Sequence, residues 1–112
     1  MQDLFDQIHQ LRLRDERRSG TPDEAVKELL LVSKVAEEAC EAGELYRRSK
    51  GWGTGGPVSA TPREAQHEMC AAVMAGLVAL DRLCPDGDAA QVWAGYLAYG
   101  YERALAENAA AA

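Results

Sequence analysis

The chain has 112 residues and a formal net charge of −6 at pH 7, enough for one domain with a real core and too little for a second. The acidic balance argues against duplex nucleic acid or an anionic membrane surface as main partner, since both need a basic face that replaces counterions, and it suits a bound cation better. Three cysteines, Cys40, Cys70 and Cys84, form an odd set without CxxC spacing, each in an apolar segment where a reduced thiol acts as a small hydrophobe; this reads as a reducing, cytoplasmic protein.

The N-terminal MQDLFDQIHQ carries acids where a signal peptide would place a basic region and then an apolar run, so no export signal is expected. Leu4, Ile8 and Leu11 keep helical spacing and predict a first helix over about 3–18. The arginines of LRLRDERR, from Arg12 to Arg18, read as a solvated helix end, favourable against the helix dipole.

Two phrases punctuate the chain alike: TPDE at Thr21 to Glu24 and TPRE at Thr61 to Glu64. Each offers a threonine cap, a proline at the first helical position and a glutamate three after the cap, the signature of a capping box. They predict a second helix over about 22–48, through Leu29, Val32, Val35, Ala39, Ala42 and Tyr46, and a third over about 62–84 that stops before Pro85. A fourth, about 88–107, is capped by Asp88 and carries Val92, Tyr96 and Tyr99. No segment alternates as a half-buried strand does. The expectation is an all-α four-helix bundle forming a single domain over about 1–108, with a frayed alanine tail at 109–112.

The stretch MCAAVMAGLVAL, Met69 to Leu80, is about twelve residues, short of the roughly 20 that span a membrane. It is apolar nearly all round, so either a second subunit covers it, in a homodimer or larger even assembly, or it is a fully enclosed central helix. Trp93, Tyr96, Tyr99 and Tyr101 on the last helix read as core or subunit interface.

Chemistry concentrates in KVAEEACEAGEL, Lys34 to Leu45. Leu31, Glu38 and Leu45 lie seven apart, on nearly one helical stripe that drifts by about 20° per step, which puts Glu38 in an apolar row. A buried carboxylate needs compensation. Glu41 shares a face with Glu38, while Glu37 and Glu44 read as solvated on pattern alone. On the next helix Glu68 borders the apolar run. Hard cations such as Mg²⁺ take carboxylate oxygens, and two acids from each of two antiparallel helices would hold one; here ExxE supplies Glu38 and Glu41, but Glu68 is followed by Met69, Cys70 and Ala71, so the fourth acid is missing.

These two stretches, KVAEEACEAGEL and HEMCAAVMAGLVALDRL (His67 to Leu83), resemble the MazG-like branch of the all-α NTP pyrophosphohydrolases, with their K-x-x-E-E-x-x-E-x-x-E pattern and E-L-x-D before a long apolar run. The resemblance implies a dimeric or tetrameric helical bundle that hydrolyses a nucleoside or deoxynucleoside triphosphate to the monophosphate and pyrophosphate with Mg²⁺, Mn²⁺ being the alternative. It assigns the metal to Glu38, Glu41 and Glu68, marks Ala71 as the degenerate ligand position, and makes Glu37 an outer carboxylate that orients water. Such chemistry needs polyphosphate charge neutralised and a water made nucleophilic, both of which clustered metal ions supply. Lys34 either meets a phosphate or pairs with Glu38.

Ala71 admits three readings: a natural degeneration that leaves a binding or structural relative, an engineered knockout, or a site completed by another acid. Glu64, one turn before Glu68, is the nearby substitute, although its helix-cap role competes. His67 points about 100° away from Glu68 and reads as a surface residue. In the loop SKGWGTGG, Lys50 with Arg47 and Arg48 offers charge and Trp52 a stacking surface, but the P-loop pattern is absent. No histidine and serine spacing suggests covalent catalysis.

Overall fold

The structure, a computed structural model, describes residues 1–112. It is all helical: α1 (Gln2–Arg18), α2 (Glu24–Ser49), α3 (Pro62–Leu83) and α4 (Ala89–Ala111). No helix is long and apolar enough to cross a membrane.

The two TP phrases behave differently. Thr61 forms the full capping box, its hydroxyl accepting from the Glu64 backbone N–H while the Glu64 carboxylate accepts from the Thr61 N–H at 3.1 Å. At TPDE the box does not form, and α2 starts at Glu24, later than the sequence predicts. Asp23 takes the cap instead, its carboxylate accepting from Ala25 N–H at 2.9 Å and Val26 N–H at 3.2 Å, and the Thr21 hydroxyl accepts from Asp23 N–H. A carboxylate is as good a cap as a hydroxyl and carries charge that the helix N-terminus favours, so Asp23 wins. At the other end of the chain α4 continues to Ala111, so residues 109–111 are helical, in keeping with the top helix propensity of alanine.

Helices α2 and α3 form an antiparallel hairpin, with Leu31 of α2 and Val78 of α3 in one core. Phe5 and Ile8 of α1 and Ala89 and Ala90 of α4 complete it, with Leu11, Leu77, Leu80, Cys84 and Trp93 packed around them. Each large side chain buried there stabilises by about 1.5–3 kcal/mol. Small residues, Ala42 on α2 and Ala75 and Ala79 on α3, are buried as well and let the backbones approach.

Charge ties the same helices together. Asp81 of α3, only 8 % exposed, accepts from Arg12 Nε of α1 at 2.6 Å and lies 3.0 Å from His9 Nδ1. Arg12 also donates to Glu16 at 2.7 Å, and Arg82 bridges Glu16 of α1 at 3.0 Å and Glu24 of α2 at 2.9 Å. The expected solvated arginine face is therefore corrected at Arg12: its guanidinium is drawn inward by the buried Asp81, while Arg17 and Arg18 do face water.

The circumference of α3 is not enclosed: Met69 is 54 % and Val73 57 % exposed. The α4 tyrosines are not in the core either; Tyr96, Tyr99 and Tyr101 are all exposed, and only Trp93 is partly buried. Cys40 and Cys70, small hydrophobes in apolar segments, are exposed too, on helix faces that no other part of the chain covers.

Candidate metal centre

The antiparallel α2–α3 hairpin sets Glu38 and Glu41, one turn apart on α2, opposite Glu68 on α3. One carboxylate oxygen from each lies within 4.8 Å of the others. Glu68 Oε2 is buried and has no hydrogen-bond partner. Its carboxyl is held above the usual carboxylate range, chiefly by desolvation, then by the charges of Glu38 and Glu41, and by the Glu38 carboxylate, which accepts a hydrogen bond only from the protonated form.

No lysine or arginine forms an ion pair with Glu38, Glu41 or Glu68. Arg12 is committed to Asp81 and Glu16, Arg82 to Glu16 and Glu24, and Arg47 to Glu44. Lys34 makes no ion pair, so the pairing with Glu38 considered from the sequence does not form. The two residues instead line one small cavity of about 60 Å³ together with Arg14 and Asp15 of α1 and Ala71 of α3. Apolar side chains, among them Leu31 and Val78, close its other walls.

Two acids change their standing in this geometry. Glu64, the substitute considered for the missing aspartate, has one carboxylate oxygen, Oε1, accepting from the Thr61 N–H and hydroxyl, both at 3.1 Å. Asp15, which the sequence reading did not single out, faces the same cavity as Glu38 and Ala71, held by Arg14 at 2.9 Å. The signal available was weak: an acid beside Leu11 on the predicted first helix, with nothing local to say which helix it would face.

Glu37 and His67 are exposed on the surface. Lys50 and Trp52 do not join the cluster. Trp52 packs edge-to-face on Tyr46 with ring centroids 6.1 Å apart, and Lys50 Nζ sits 5.9 Å from the same ring. The loop is folded against the end of α2. Arg48 donates to Ser59 Oγ at 3.1 Å and to Ser59 O at 2.9 Å. A Cβ at Gly53 would come within 2.9 Å of Arg48 Cγ, which is why the loop passes there on a glycine.

The donor set fits a hard divalent cation. Three clustered carboxylates, one with an unpartnered buried oxygen and none in an ion pair, gain most from an ion that takes oxygen ligands and keeps several waters. Compared with family models, curated proteins and solved structures, the chain matches none.

Proposed function

We propose that this chain is a Mg²⁺-dependent nucleoside triphosphate pyrophosphohydrolase of the MazG-like type, with Mn²⁺ as the alternative ion, acting on an NTP or dNTP as a homodimer or homotetramer. The observation that carries the reading is the carboxylate cluster: Glu38, Glu41 and Glu68 gather within 4.8 Å, and Glu68 Oε2 is buried without a partner. Glu38, Glu41 and Glu68 would hold the ion, which when bound supplies charge neutralisation for the polyphosphate and activation of a water.

The protein groups around the cluster divide the remaining work. Lys34 and Arg14, on the cavity beside Glu38, offer positive charge to phosphate oxygens. Glu37, exposed and next to Glu38 in sequence on α2, would orient a water. Lys50 and Trp52, packed on Tyr46, offer a cation and an exposed aromatic face at the loop end of the hairpin, suited to a nucleotide's base and sugar.

Ala71 favours a second reading, a catalytically inactive relative that binds nucleotide or a protein, because it brings no oxygen to the cavity that Glu38 faces. Pyrophosphate release from a panel of NTPs and dNTPs, measured with Mg²⁺ or Mn²⁺ on this chain and on Ala71→Asp, separates the two. Turnover by either form supports the enzyme reading, and turnover by the variant alone supports a site disabled at one ligand. No turnover by either, with nucleotide and Mg²⁺ still raising Tm, selects the binding relative.

A further inference from the structure

Ala71 leaves space where α3 lacks an acid. Its side chain ends in the wall of the cavity of about 60 Å³ beside Glu38, which has room for ordered water, since one water needs only about 10–15 Å³. Most acids near the hairpin already have partners. Glu64 Oε1 serves the cap of α3, Glu44 pairs with Arg47, and Glu16 is divided between Arg12 and Arg82.

Asp15 differs from these in three ways. It comes from α1, whose second half lies across the α2–α3 hairpin and brings Leu11, Arg14 and Asp15 to the cavity that Glu38 and Ala71 also line. The backbone that carries it is anchored on both sides. Arg12, one turn before, is tied to Asp81 of α3 at 2.6 Å, and Glu16, next in sequence, is tied to Arg82 of α3 at 3.0 Å. The carboxylate itself is only partly engaged. Its side chain is 16 % exposed; Arg14 Nε at 3.0 Å and Nη2 at 2.9 Å both donate to Oδ1, and no protein group donates to Oδ2. Arg14 is its neighbour in sequence, so their pair ties α1 to no other helix.

We propose that Asp15 stands in from α1 for the carboxylate that α3 lacks at Ala71, its Oδ2 accepting a hydrogen bond from a water on the cation held by Glu38, Glu41 and Glu68. Asp15 is outside the three acids whose oxygens gather within 4.8 Å, which makes it a positioning residue acting through a water, and a cation such as Mg²⁺ keeps several. Loss of a group in this outer position lowers metal affinity about 10–100-fold. The site needs an oxygen at that place, whichever helix supplies it. The inference rests on the cation reading of the cluster and on neither nucleotide nor turnover.

Mn²⁺ affinity, read by electron paramagnetic resonance on the full chain without nucleotide, tests it. Asp15→Asn should weaken binding about tenfold. Glu64→Gln, which removes an exposed and therefore screened charge from α3, should change it less than about threefold and so measures the effect of charge alone. Ala71→Asp should then restore affinity in the Asp15→Asn chain, and its gain there should exceed its gain in the native chain by about threefold or more, because the two acids serve one place. Structural damage at residue 15 would not be repaired from residue 71. If Asp15→Asn loses helicity by circular dichroism, Asp15→Ser with and without Ala71→Asp repeats the cycle. Native-like affinity in Asp15→Asn, beside a loss in Glu38→Gln, overturns the proposal and leaves the cation site standing. So does an equal gain from Ala71→Asp in both backgrounds. A native chain without saturable Mn²⁺ binding overturns the proposal together with the cation reading beneath it.

Discussion

Asp81→Ala should be among the most destabilising single substitutions in this chain. Asp81 is 8 % exposed and accepts from Arg12 Nε at 2.6 Å, with His9 Nδ1 3.0 Å away. Removing one partner of a buried pair costs about 3–5 kcal/mol, because the other charge stays desolvated. Arg12 keeps Glu16 at 2.7 Å, so the cost falls at the low end, about 3 kcal/mol. With a urea slope of about 1.5 kcal/mol/M for a domain of this size, the unfolding midpoint should drop by about 2 M. The measurement needs a fixed protein concentration, since association shifts apparent stability. Replacing both partners, Arg12→Leu with Asp81→Leu, should recover most of the loss, because the stranded charge goes as well. A midpoint shift under about 0.5 M for Asp81→Ala, which at that slope is under 1 kcal/mol, would refute the buried-pair argument.

Glu68 makes stability depend on pH in a definite direction. Its folded pKa is raised above the unfolded value of about 4.3, so its protonated form is favoured in the fold, and metal-free stability falls as pH rises through the folded value. Glu24 acts oppositely: its pKa is lowered by Arg82 and then Lys27, so its contribution is present above the unfolded value and is lost as pH falls through the folded one. Thermal unfolding of Glu68→Gln beside the native chain isolates the first effect: the variant should have the higher Tm at neutral pH without metal, and the gap should close on acidification. Thr61→Ala should cost about 1 kcal/mol in urea unfolding through loss of the cap on α3. Where turnover is found, Asp15→Asn should lower it and Glu64→Gln should not, since glutamine still serves the capping box and Asp15 is the acid that faces the Ala71 cavity.

Local chemistry was legible in the sequence and distant pairing was not. TPRE predicted the start of α3 because a capping box involves residues within one turn, and the seven-residue row through Leu31, Glu38 and Leu45 singled out Glu38 without knowledge of any other helix. TPDE misled because two good caps, Thr21 and Asp23, stand two residues apart, and local pattern does not rank them. Arg12 was misread because what draws it inward, Asp81, is on another helix. Asp15 escaped notice for the same reason, as its place beside Ala71 follows only from how α1 lies against the α2–α3 hairpin. The exposed faces of α3 and α4 show the converse: apolar pattern marked Met69 to Leu80 and the tyrosines as surfaces to be covered, but pattern does not say whether the cover comes from the same chain.

The central claim is that Glu38, Glu41 and Glu68 form one site for a divalent cation. Mn²⁺ titration followed by electron paramagnetic resonance tests it most directly, on the native chain and on Glu38→Gln, Glu41→Gln and Glu68→Gln, without nucleotide. The account predicts saturable Mn²⁺ binding by the native chain, competed by Mg²⁺ and weakened at least about tenfold in each variant, roughly 1.4 kcal/mol per lost carboxylate. Unsaturable binding, or affinity unchanged in all three variants, would contradict it and leave the cluster as three acids that the fold merely tolerates.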